Sequence, residues 1–530
     1  MDESNEAMDL AWRLVEETGA NVFLTGKAGT GKTTFLKRLK AESNKTIAVL
    51  APTGIAALNA GGTTIHSFFQ LSFSPYIPGI GQADAGTSRY DRYSKEKLKV
   101  LRSIDTIVID EISMVRADVL DAIDAKLRKY RNPSLAMGGV QLVMIGDLQQ
   151  LPPVVKEDEW SLLSQHYNSP YFFDSDVLRQ SPYETIELTK VYRQQDSEFL
   201  DMLNAIRDNK ADRNVLDSLN ARYIPGFNPK EEERYIRLMT HNYQQQEFNE
   251  RKMKELPGKP HIFTARTEGD FPESMYPADA SLTLKVGAQV MFIKNDSSGS
   301  RRYYNGLIGI VRSITPDGKV AVANGDTTIM VEEEIWENIT YSIDKKDNRM
   351  KEKIAGTFRQ IPLRAAWAIT IHKSQGLTFD KAIINASSAF AHGQTYVALS
   401  RCRTLRGLVL EQPLPPHAII CDNKVADFIS HRRSDQADAK RVSDLQSGFR
   451  LRVLLELVDL TSTYEAMKGL HRAVEEAHSK TFPKMTAQLS EILNKKCRAL
   501  LDVSYKFQNQ LRSMSAAGAG ADRIQQRLSL

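Results

Sequence analysis

Near its N-terminus the chain carries the stretch Gly26-Lys27-Ala28-Gly29-Thr30-Gly31-Lys32-Thr33. It matches a phosphate-binding loop in full, because an apolar strand over Asn21–Thr25 precedes it and a helical pattern begins at Thr33. The glycines let successive backbone N–H groups converge on phosphate oxygens, and the start of the helix adds a partial positive charge. A chance glycine-rich turn is the alternative, but the complete match in this setting predicts a nucleotide site.

Two side chains of this stretch have specific tasks at a nucleoside triphosphate. Lys32 places a positive charge between the β- and γ-phosphates, and Thr33 offers its hydroxyl to Mg²⁺. We therefore predict that ATP and Mg²⁺ bind here. The expected ATP contacts are Gly26, Lys27, Ala28, Gly29, Thr30, Gly31, Lys32, Thr33, Thr34 and Gly376.

A pair of carboxylates follows a second apolar strand. The run is Ile107-Val108-Ile109-Asp110-Glu111, and its acidic end lies where the ligands of parallel sheets bind. Asp110 would hold Mg²⁺, and Glu111 would orient or deprotonate the attacking water. Acidic residues often end buried strands, but downstream of a complete phosphate-binding loop this pair predicts hydrolysis.

Three further side chains are candidates at the γ-phosphate. Gln150 follows another apolar strand and can donate to phosphate while it accepts from water, although a polar turn before Pro152-Pro153 is the simpler interpretation. Phosphoryl transfer also needs mobile positive charge. Arg193 and Arg401 are candidates for this role, although most arginines only make a surface soluble.

The pattern of apolar runs predicts two α/β blocks. Short strands alternate with helical stretches, which indicates parallel sheets with helices on both faces. The first block has expected strands at Asn21–Thr25, Thr46–Ala51, Ile104–Ile109 and Gln141–Ile145. The second is expected from near Glu184, with Ile236–Thr240, a strand within Leu363–Thr370, and Ala382–Asn385.

Three segments depart from this alternation. Ser72–Tyr93 is rich in Ser, Pro, Gly and Tyr and indicates an inserted loop or small subdomain. From His261 to about Phe358, short alternating strands with turn signals at Pro316-Asp317-Gly318 and Asn324-Gly325-Asp326 predict an inserted β-barrel. From about His431 two amphipathic stripes predict a helical hairpin packed on itself or on the rest of the chain, or else a partner-binding or dimerising helix. The stripes are Tyr464, Met467, Leu470, Val474 and Ala477, and Leu489, Ile492, Leu493, Leu500, Val503, Phe507 and Leu511.

Composition narrows the class of protein only modestly. The net charge of +5 permits nucleic-acid binding but is too mild to establish it. No apolar run approaches the length of a membrane span, and an N-terminus with Asp2, Glu3 and Glu6 suits neither a secretory signal nor a transit peptide. The 3 cysteines are too widely spaced for a structural zinc or iron–sulfur site. We therefore expect a cytoplasmic protein.

Taken together, these motifs resemble those of the Pif helicases, relatives of the RecD helicases in class B of superfamily 1. The most specific segment is Glu111-Ile112-Ser113-Met114-Val115-Arg116-Ala117-Asp118-Val119-Leu120-Asp121-Ala122-Ile123-Asp124. Other matching segments are Ala51–Ala57, Thr64–Phe69, Ile371–Phe379 and the segment that ends at Arg401. The resemblance covers roughly residues 1–430.

The resemblance implies an α/β fold with two RecA-like parallel-sheet domains, ATP between them, an inserted SH3-like β-barrel and a C-terminal α-helical region. The expected domains are 1–180 (1A, with insertion 1B at about 70–98), 181–260 with 355–430 (2A), 261–354 (2B) and 431–530 (helical). It also implies that Arg193 and Arg401 are arginine fingers. A single-stranded DNA channel would be lined by Thr53, Gly54, His66, Ser67, His241, Asn242, His372, Lys373 and Ser374.

The activity implied by this resemblance is ATP-dependent unwinding of duplex or structured DNA, with translocation from 5′ to 3′. The expected partners are single-stranded DNA, single-strand/duplex junctions and G-quadruplex DNA, for a chain that is monomeric when free and able to dimerise on DNA. The expected processes are replication, recombination, repair and telomere maintenance. Two alternatives stay open: a P-loop nucleotide switch or DNA-binding scaffold without motor activity, and a RecD-like subunit of a nuclease complex.

The residues themselves are compatible with such a channel. A translocating protein must hold a strand by its backbone, which calls for backbone amides, hydroxyls and a few aromatics. The polar loop His372–Gly376 follows an apolar strand and could contact DNA and the ATP cleft at once. His66 either stacks on a base or fills a core position, whereas Phe68 and Phe69 are expected in the core. Arg301–Tyr304 suits a strand-binding surface or a charged hairpin edge.

Overall fold

The computed structural model describes residues 6–27, 29–78, 93–190, 196–230, 233–298, 300, 302–344, 350–386, 391–432 and 437–516. Ala28, Arg193, Arg301 and most of the predicted insertion Ser72–Tyr93 lie outside these residues. The chain divides into two compact units, the first comprising residues 1–16 and 20–437 and the second residues 17–19 and 438–530.

The first sheet is parallel, in the order β3-β2-β4-β5-β1-β6. Its strands are β1 (Asn21–Gly26), β2 (Ile47–Ala51), β3 (Thr63–Thr64), β4 (Thr106–Ile109), β5 (Gln141–Ile145) and β6 (Tyr183–Leu188). The helices of this part are α1 (Glu6–Glu17), α2 (Lys32–Glu42), α3 (Gly54–Ala60), α4 (Ile65–Phe69), α5 (Lys95–Ser103), α6 (Ala117–Tyr130), α7 (Glu157–Leu163) and α8 (Asp176–Gln180). The central strands β4 and β5 are buried along their whole length, as expected for a sheet covered on both faces. Phe68 and Phe69 lie in the core beneath it, as predicted.

One strand belongs to a different sheet from the one we predict. We expect the second block to begin near Glu184, after a boundary at residue 180, but β6 pairs with β1 from Asn21↔Tyr183 to Gly26↔Leu188. It is therefore the edge strand of the first sheet, and the predicted boundary is wrong. Because strands of both sheets are short apolar runs, the sequence pattern does not show which sheet a strand joins.

The second sheet begins after β6. Its first elements are α9 (Ser197–Arg207), α10 (Arg213–Asn220), β7 (Ile236–Met239) and α11 (Asn242–Glu255). Phe199, Leu203 and Ile206 on α9 pack into the core of this second half. The last residue of α9, Arg207, contacts the first half, with its Nη2 3.3 Å from Asp147 Oδ1.

An antiparallel insertion follows α11 and forms three sheets, in the orders β14-β13-β12-β11-β17, β15-β16-β9 and β10-β8. Its strands are β8 (His261–Thr264), β9 (Arg266–Gly269), β10 (Ser281–Leu284), β11 (Gln289–Phe292), β12 (Ile308–Ile314), β13 (Val320–Asn324), β14 (Thr327–Val331), β15 (Glu334–Ile343), β16 (Met350–Gln360) and β17 (Leu363–Ala365). The predicted turn at Asn324-Gly325-Asp326 joins β13 to β14, with Gly325 at φ +61°. The insertion extends to Ala365, because β17 pairs with β11, so the predicted end at residue 354 is too early.

The hairpin β15–β16 reaches from the insertion to the first sheet. The Tyr341 hydroxyl accepts a hydrogen bond from Val49 N–H at 2.9 Å, and the Tyr341 and Phe68 rings meet edge-on with centroids 5.7 Å apart. Lys40 and Glu352 form an ion pair at 2.9 Å beside this contact. The insertion therefore packs directly against the half that carries the phosphate-binding loop.

The chain then completes the second parallel sheet in the order β18-β7-β19-β20. The remaining elements are β18 (Ala368–Thr370), β19 (Ala382–Ile384), α12 (Gln394–Ser400), β20 (Leu408–Leu410) and α13 (Asn423–Arg432). The apolar run Leu363–Thr370 is thus divided between the insertion and this sheet. The prediction of two parallel-sheet blocks and a β insertion is confirmed, and the insertion interrupts the second block between α11 and β18.

The second unit is helical, as predicted, but neither predicted stripe is buried throughout: no residue of the stripe from Tyr464 to Ala477 is buried, and the second stripe has a different phase. Its helices are α14 (Ala439–Leu457), α15 (Thr461–His478), α16 (Pro483–Glu491) and α17 (Arg498–Ala516), and a π-helical segment (Ile492–Cys497) joins the last two. Leu501 and Leu511 are buried, whereas Leu500 and Val503 are exposed. A π-helical segment takes more residues per turn, so it rotates the following apolar face away from the predicted one. Among the described helices, none is both long and apolar enough to span a membrane.

Candidate functional site

The phosphate-binding loop lies between β1 and α2, as its sequence predicts. Gly26, Gly29 and Gly31 have φ angles of +152°, +81° and +96°, which side chains with a Cβ rarely adopt. A Cβ at Gly26 would lie 2.5 Å from the Leu188 carbonyl oxygen, so this position also needs glycine for space. The loop therefore presents its backbone at the first turn of α2, where Thr33 and Thr34 are exposed.

Lys32 begins α2 and is held by the loop itself. Its Nζ donates to the carbonyl oxygens of Gly26 at 2.6 Å and Lys27 at 2.9 Å. Burial lowers the pKa of Lys32, and the carboxylates of Asp147 and Glu111 partly oppose this effect. A buried ammonium that is bonded to neutral carbonyl oxygens is poorly compensated. A phosphate that binds beside it would therefore form a stronger, charge-assisted hydrogen bond.

Asp110 and Glu111 end β4 next to this lysine. Asp110 N–H donates to the Leu50 carbonyl at 2.9 Å, which fixes the end of the strand. Glu111 has φ +52°, a left-handed conformation that costs a residue with a side chain roughly 1–3 kcal/mol and is concentrated at functional sites. Burial, together with the neighbouring Glu111, raises the pKa of Asp110 to about 7. Burial also raises the pKa of Glu111, while Lys32 and Arg401 act to lower it.

The raised pKa predicts how Asp110→Asn changes thermal stability. The folded protein binds a proton at Asp110 more tightly than the unfolded chain does, so stability falls as pH rises from about 4 to about 7 and stays low above that. Without nucleotide or metal, Asp110→Asn should therefore raise the Tm at pH 8, by on the order of 5 °C, and less at pH 5.5. Thermal melts at both pH values measure this. An equal change at the two pH values would contradict the assignment of the effect to this carboxyl.

The loop after β5 brings a third carboxylate to the cluster. Asp147 is buried, and its Oδ2 lies 3.4 Å from Nε2 of the predicted site residue Gln150. Burial raises the pKa of Asp147, but Arg207 and Lys32, together with hydrogen bonding, outweigh burial and leave it below its ordinary value. Asp147 and Arg207 are absent from our predicted site. Arg207 carries a sequence signal, because it lies four residues after Leu203 on the apolar face of α9, where a charge is unexpected.

Arg401, from the second half, also acts on this cluster. It is buried after α12, where its guanidinium donates to the carbonyls of Val397 at 3.1 Å and Leu377 at 3.3 Å. It lies close enough to Glu111 to lower the pKa of that carboxyl. Gly376, the other predicted ATP contact of this half, is exposed with φ +76°. Arg193 lies outside the described residues.

The predicted DNA contacts of the first half follow β2 and β3. The exposed Thr53 caps α3, since its hydroxyl accepts from Ala56 N–H at 3.2 Å. A Cβ at Gly54 would lie 3.0 Å from Met275 Cα, so the β insertion approaches the backbone here. His66 stacks on Phe73 with centroids 4.8 Å apart, and Ser67 is exposed beside it. His66 is thus partly covered by an aromatic ring of its own chain.

The predicted DNA contacts of the second half follow β7 and β18, again at carboxyl ends of parallel strands. His241 is partly buried, with Nδ1 2.8 Å from Thr240 Oγ1, and Asn242 is exposed at the start of α11. Burial lowers the pKa of His372, Lys373 is exposed, and Ser374 is buried. The Ser374 hydroxyl donates to the Ile371 carbonyl at 2.7 Å, which occupies it in this conformation.

Of the described residues in the predicted strand-binding surface Arg301–Tyr304, only some side chains are free to contact DNA. Tyr303 is buried and stacks on Phe292 with centroids 4.4 Å apart, whereas Tyr304 is exposed. Arg302 is paired with Asp296 at 3.0 Å. Within the described residues, this leaves Tyr304 as the aromatic of that segment that could stack on a base.

Family models and curated relatives that match this chain are helicases. The family model described as PIF1-like helicase matches residues 2–216, and a model described as DNA helicase, middle domain, matches residues 441–529. The chain is 33% identical over 436 residues to the ATP-dependent DNA helicase Pif1 of Bdellovibrio bacteriovorus, covering 80% of this chain and 90% of that protein. It is 36% identical over 430 residues to the human ATP-dependent DNA helicase PIF1, covering 78% of this chain but 62% of the human protein.

Solved structures agree with this similarity. The crystal structure of Bacteroides sp Pif1 in complex with ADP-AlF4 has 42% sequence identity and a TM-score of 0.75, covering 81% of this chain and 97% of that chain. The same Bacteroides protein bound to single-stranded DNA matches with a TM-score of 0.59 over the same shares. The unliganded Bacteroides structure matches with a TM-score of 0.73, so the chain is more similar to the DNA-free structures of this relative, with or without nucleotide, than to its DNA complex.

Proposed function

Because this chain belongs to the PIF1-like helicase family, we propose that it is an ATP-dependent DNA helicase that moves along single-stranded DNA from 5′ to 3′ and unwinds duplex DNA. The observation that carries the proposal is the composite cluster at the end of β4. Lys32, Asp110 and Glu111 come from the first half, and Arg401 comes from the second half. Lys32 and Arg401 both favour the ionised form of Glu111. A triphosphate bound there would contact both halves, so its hydrolysis could move them.

Each side chain of the cluster has a task in the proposed hydrolysis. Lys32 exchanges its two carbonyl partners for the β- and γ-phosphates. Glu111, whose pKa burial raises, orients the attacking water and accepts its proton. Arg401 stabilises the charge that develops on the transferred phosphoryl group. Arg193 is the second arginine of the proposal, and Gln150 positions water and phosphate together.

The cluster also fits Mg²⁺. Burial and the neighbouring Glu111 both disfavour the ionised form of Asp110, and a divalent cation would offset that cost. Thr33 and Asp110 would hold the ion, with the remaining oxygens from phosphate and water, because Mg²⁺ needs few protein ligands in such sites. When bound, the ion neutralises charge on the phosphates. Among the described residues, no group of three or more His, Cys, Asp or Glu side chains could hold a metal by itself.

Translocation is proposed to use the strand ends of both halves. Thr53, Gly54, His66 and Ser67 follow strands of the first sheet, on the same edge as the phosphate-binding loop. His241, Asn242, His372, Lys373 and Ser374 follow strands of the second sheet. In this proposal, closure of the two halves on ATP shifts one set of contacts along the strand, and the hairpin β15–β16 changes its contact with the first sheet.

Unwinding of two matched substrates tests activity and direction together. The duplexes are identical except that one carries only a 5′ single-stranded tail and the other only a 3′ tail. We expect ATP-dependent separation of the 5′-tailed duplex, and separation of the 3′-tailed duplex no faster than that of a blunt one. We also expect the ATPase rate to rise strongly with single-stranded DNA. Stimulated hydrolysis without strand separation on either substrate would favour a nucleotide-driven scaffold instead.

A further inference from the structure

The loop at residues 146–150 of the first half is held from the second half at three points. Arg207 Nη2 lies 3.3 Å from Asp147 Oδ1. His392 Nε2 lies 3.0 Å from the Leu148 carbonyl oxygen, so it donates there in the corresponding tautomer. A Cβ at Gly393 would lie 2.4 Å from the Gln150 carbonyl oxygen, so this backbone contact requires glycine. The loop is therefore a joint between the two halves, directly beside the phosphate-binding loop.

Asp147 is a buried carboxylate shared by two cations from opposite sides. Lys32 belongs to the first half and Arg207 to the second, and both favour its ionised form. Arg207 is itself 6% exposed, so its removal would leave a buried charge with one cation fewer. Asp147 would then compete more strongly with an incoming phosphate for Lys32.

Arg207 has several distant carboxylate partners in place of one close partner. Its guanidinium lies 3.3 Å from Asp147, 3.6 Å from Asp208 and 3.9 Å from Glu187, so none of these three described carboxylates forms a short ion pair with it. Its Nε has no hydrogen-bond partner in the part of the chain that the structure describes. A buried cation with several loose partners can move towards one of them when the charges around it change.

We propose that Arg207 is a positioning residue that neutralises Asp147 from the second half, so that Lys32 is free to bind the triphosphate, and that this pair transmits the nucleotide state to α9. The inference rests on the proposed helicase function. It follows that Arg207 governs ATP affinity and the response of hydrolysis to DNA, without itself contacting the substrate.

The test measures ATPase kinetics of the full chain with and without single-stranded DNA. Arg207→Met should raise KM for ATP by about tenfold and remove most of the stimulation by DNA. Asp147→Asn/Arg207→Met should return KM to within about twofold of the wild type, because no carboxylate then competes for Lys32, while stimulation stays lost. Arg207→Lys, which keeps the charge, should lie between these results. Arg213→Met, an exposed arginine at the start of α10, is the matched control and should change neither quantity.

The outcomes separate this inference from the proposed function. If the ATPase of the wild-type chain were not stimulated by DNA, both the proposed helicase function and the proposed role of Arg207 would be contradicted. With a normal wild type, Arg207→Met kinetics equal to those of Arg213→Met would overturn only the role of Arg207. A raised KM that the added Asp147→Asn leaves unchanged would overturn it too, since a merely structural arginine behaves in that way. If Arg207→Met fails to fold, KM for ATP and the stimulation by DNA can be compared between Arg207→Lys and the double variant. The double variant removes both charges of the pair, so it leaves neither one buried without its partner.

Discussion

Replacement of Lys32 by alanine is expected to reduce ATP hydrolysis by about 10³-fold and to abolish unwinding. Among the described residues, this ammonium donates to two carbonyl oxygens of its own loop, at 2.6 and 2.9 Å, and the carboxylates of Asp147 and Glu111 stabilise its charge. Without it, the γ-phosphate meets a cluster with three carboxylates and less positive charge. Steady-state phosphate release, with saturating single-stranded DNA, measures the loss.

The matched control is Lys37→Ala, which removes an exposed lysine of the same helix. It should hydrolyse ATP at the wild-type rate, because it is on the solvent face of α2. Thermal melting of both variants establishes that each is folded. A Lys32→Ala protein with normal turnover would place the ATP site elsewhere and leave the proposed helicase without its motor.

Much of the fold could be predicted because its signals are local. The phosphate-binding loop needs glycine at positions with positive φ, so Gly29 and Gly31 carry information that is visible in the sequence. Continuous apolar runs predict buried parallel strands, and β5 has the bounds we expect, Gln141–Ile145. The two-residue turn at Gly325-Asp326 likewise follows from residues that are neighbours in the chain.

What could not be predicted depends on partners distant in sequence. The strand β6 joins the first sheet because it pairs with β1, about 160 residues earlier, and the run Leu363–Thr370 serves two sheets. The π-helical segment at Ile492–Cys497 shifts the buried face of α17, and no residue type marks it. In the candidate site, Arg207 and Asp147 meet only because the two halves pack together. The spacing of residues along the sequence therefore predicts individual strands and helices well, but it does not predict which of them pack together.

Replacement of Arg401 by alanine is expected to leave ATP binding within a few-fold of the wild type and to reduce turnover by on the order of 10³-fold. This arginine comes from the half without the phosphate-binding loop, yet it lowers the pKa of Glu111. It is needed where charge develops in the transition state, so its loss should affect kcat more than KM. A second measurement is the affinity for ADP with aluminium fluoride, a mimic of that state, which should fall much more than the affinity for ATP.

Two further variants distinguish a catalytic arginine from a structural one. Arg401 donates to backbone carbonyls of Val397 and Leu377, so its removal also leaves buried acceptors and could lower stability. Arg401→Lys keeps the charge but loses the planar fork, and should fold like the wild type while turnover stays low. Arg403→Ala, which removes a partly exposed arginine paired with Asp380, should keep normal turnover. If Arg401→Ala bound ADP with aluminium fluoride as tightly as the wild type, the second half would supply no charge to the reaction through this residue, and Arg193 would remain the candidate.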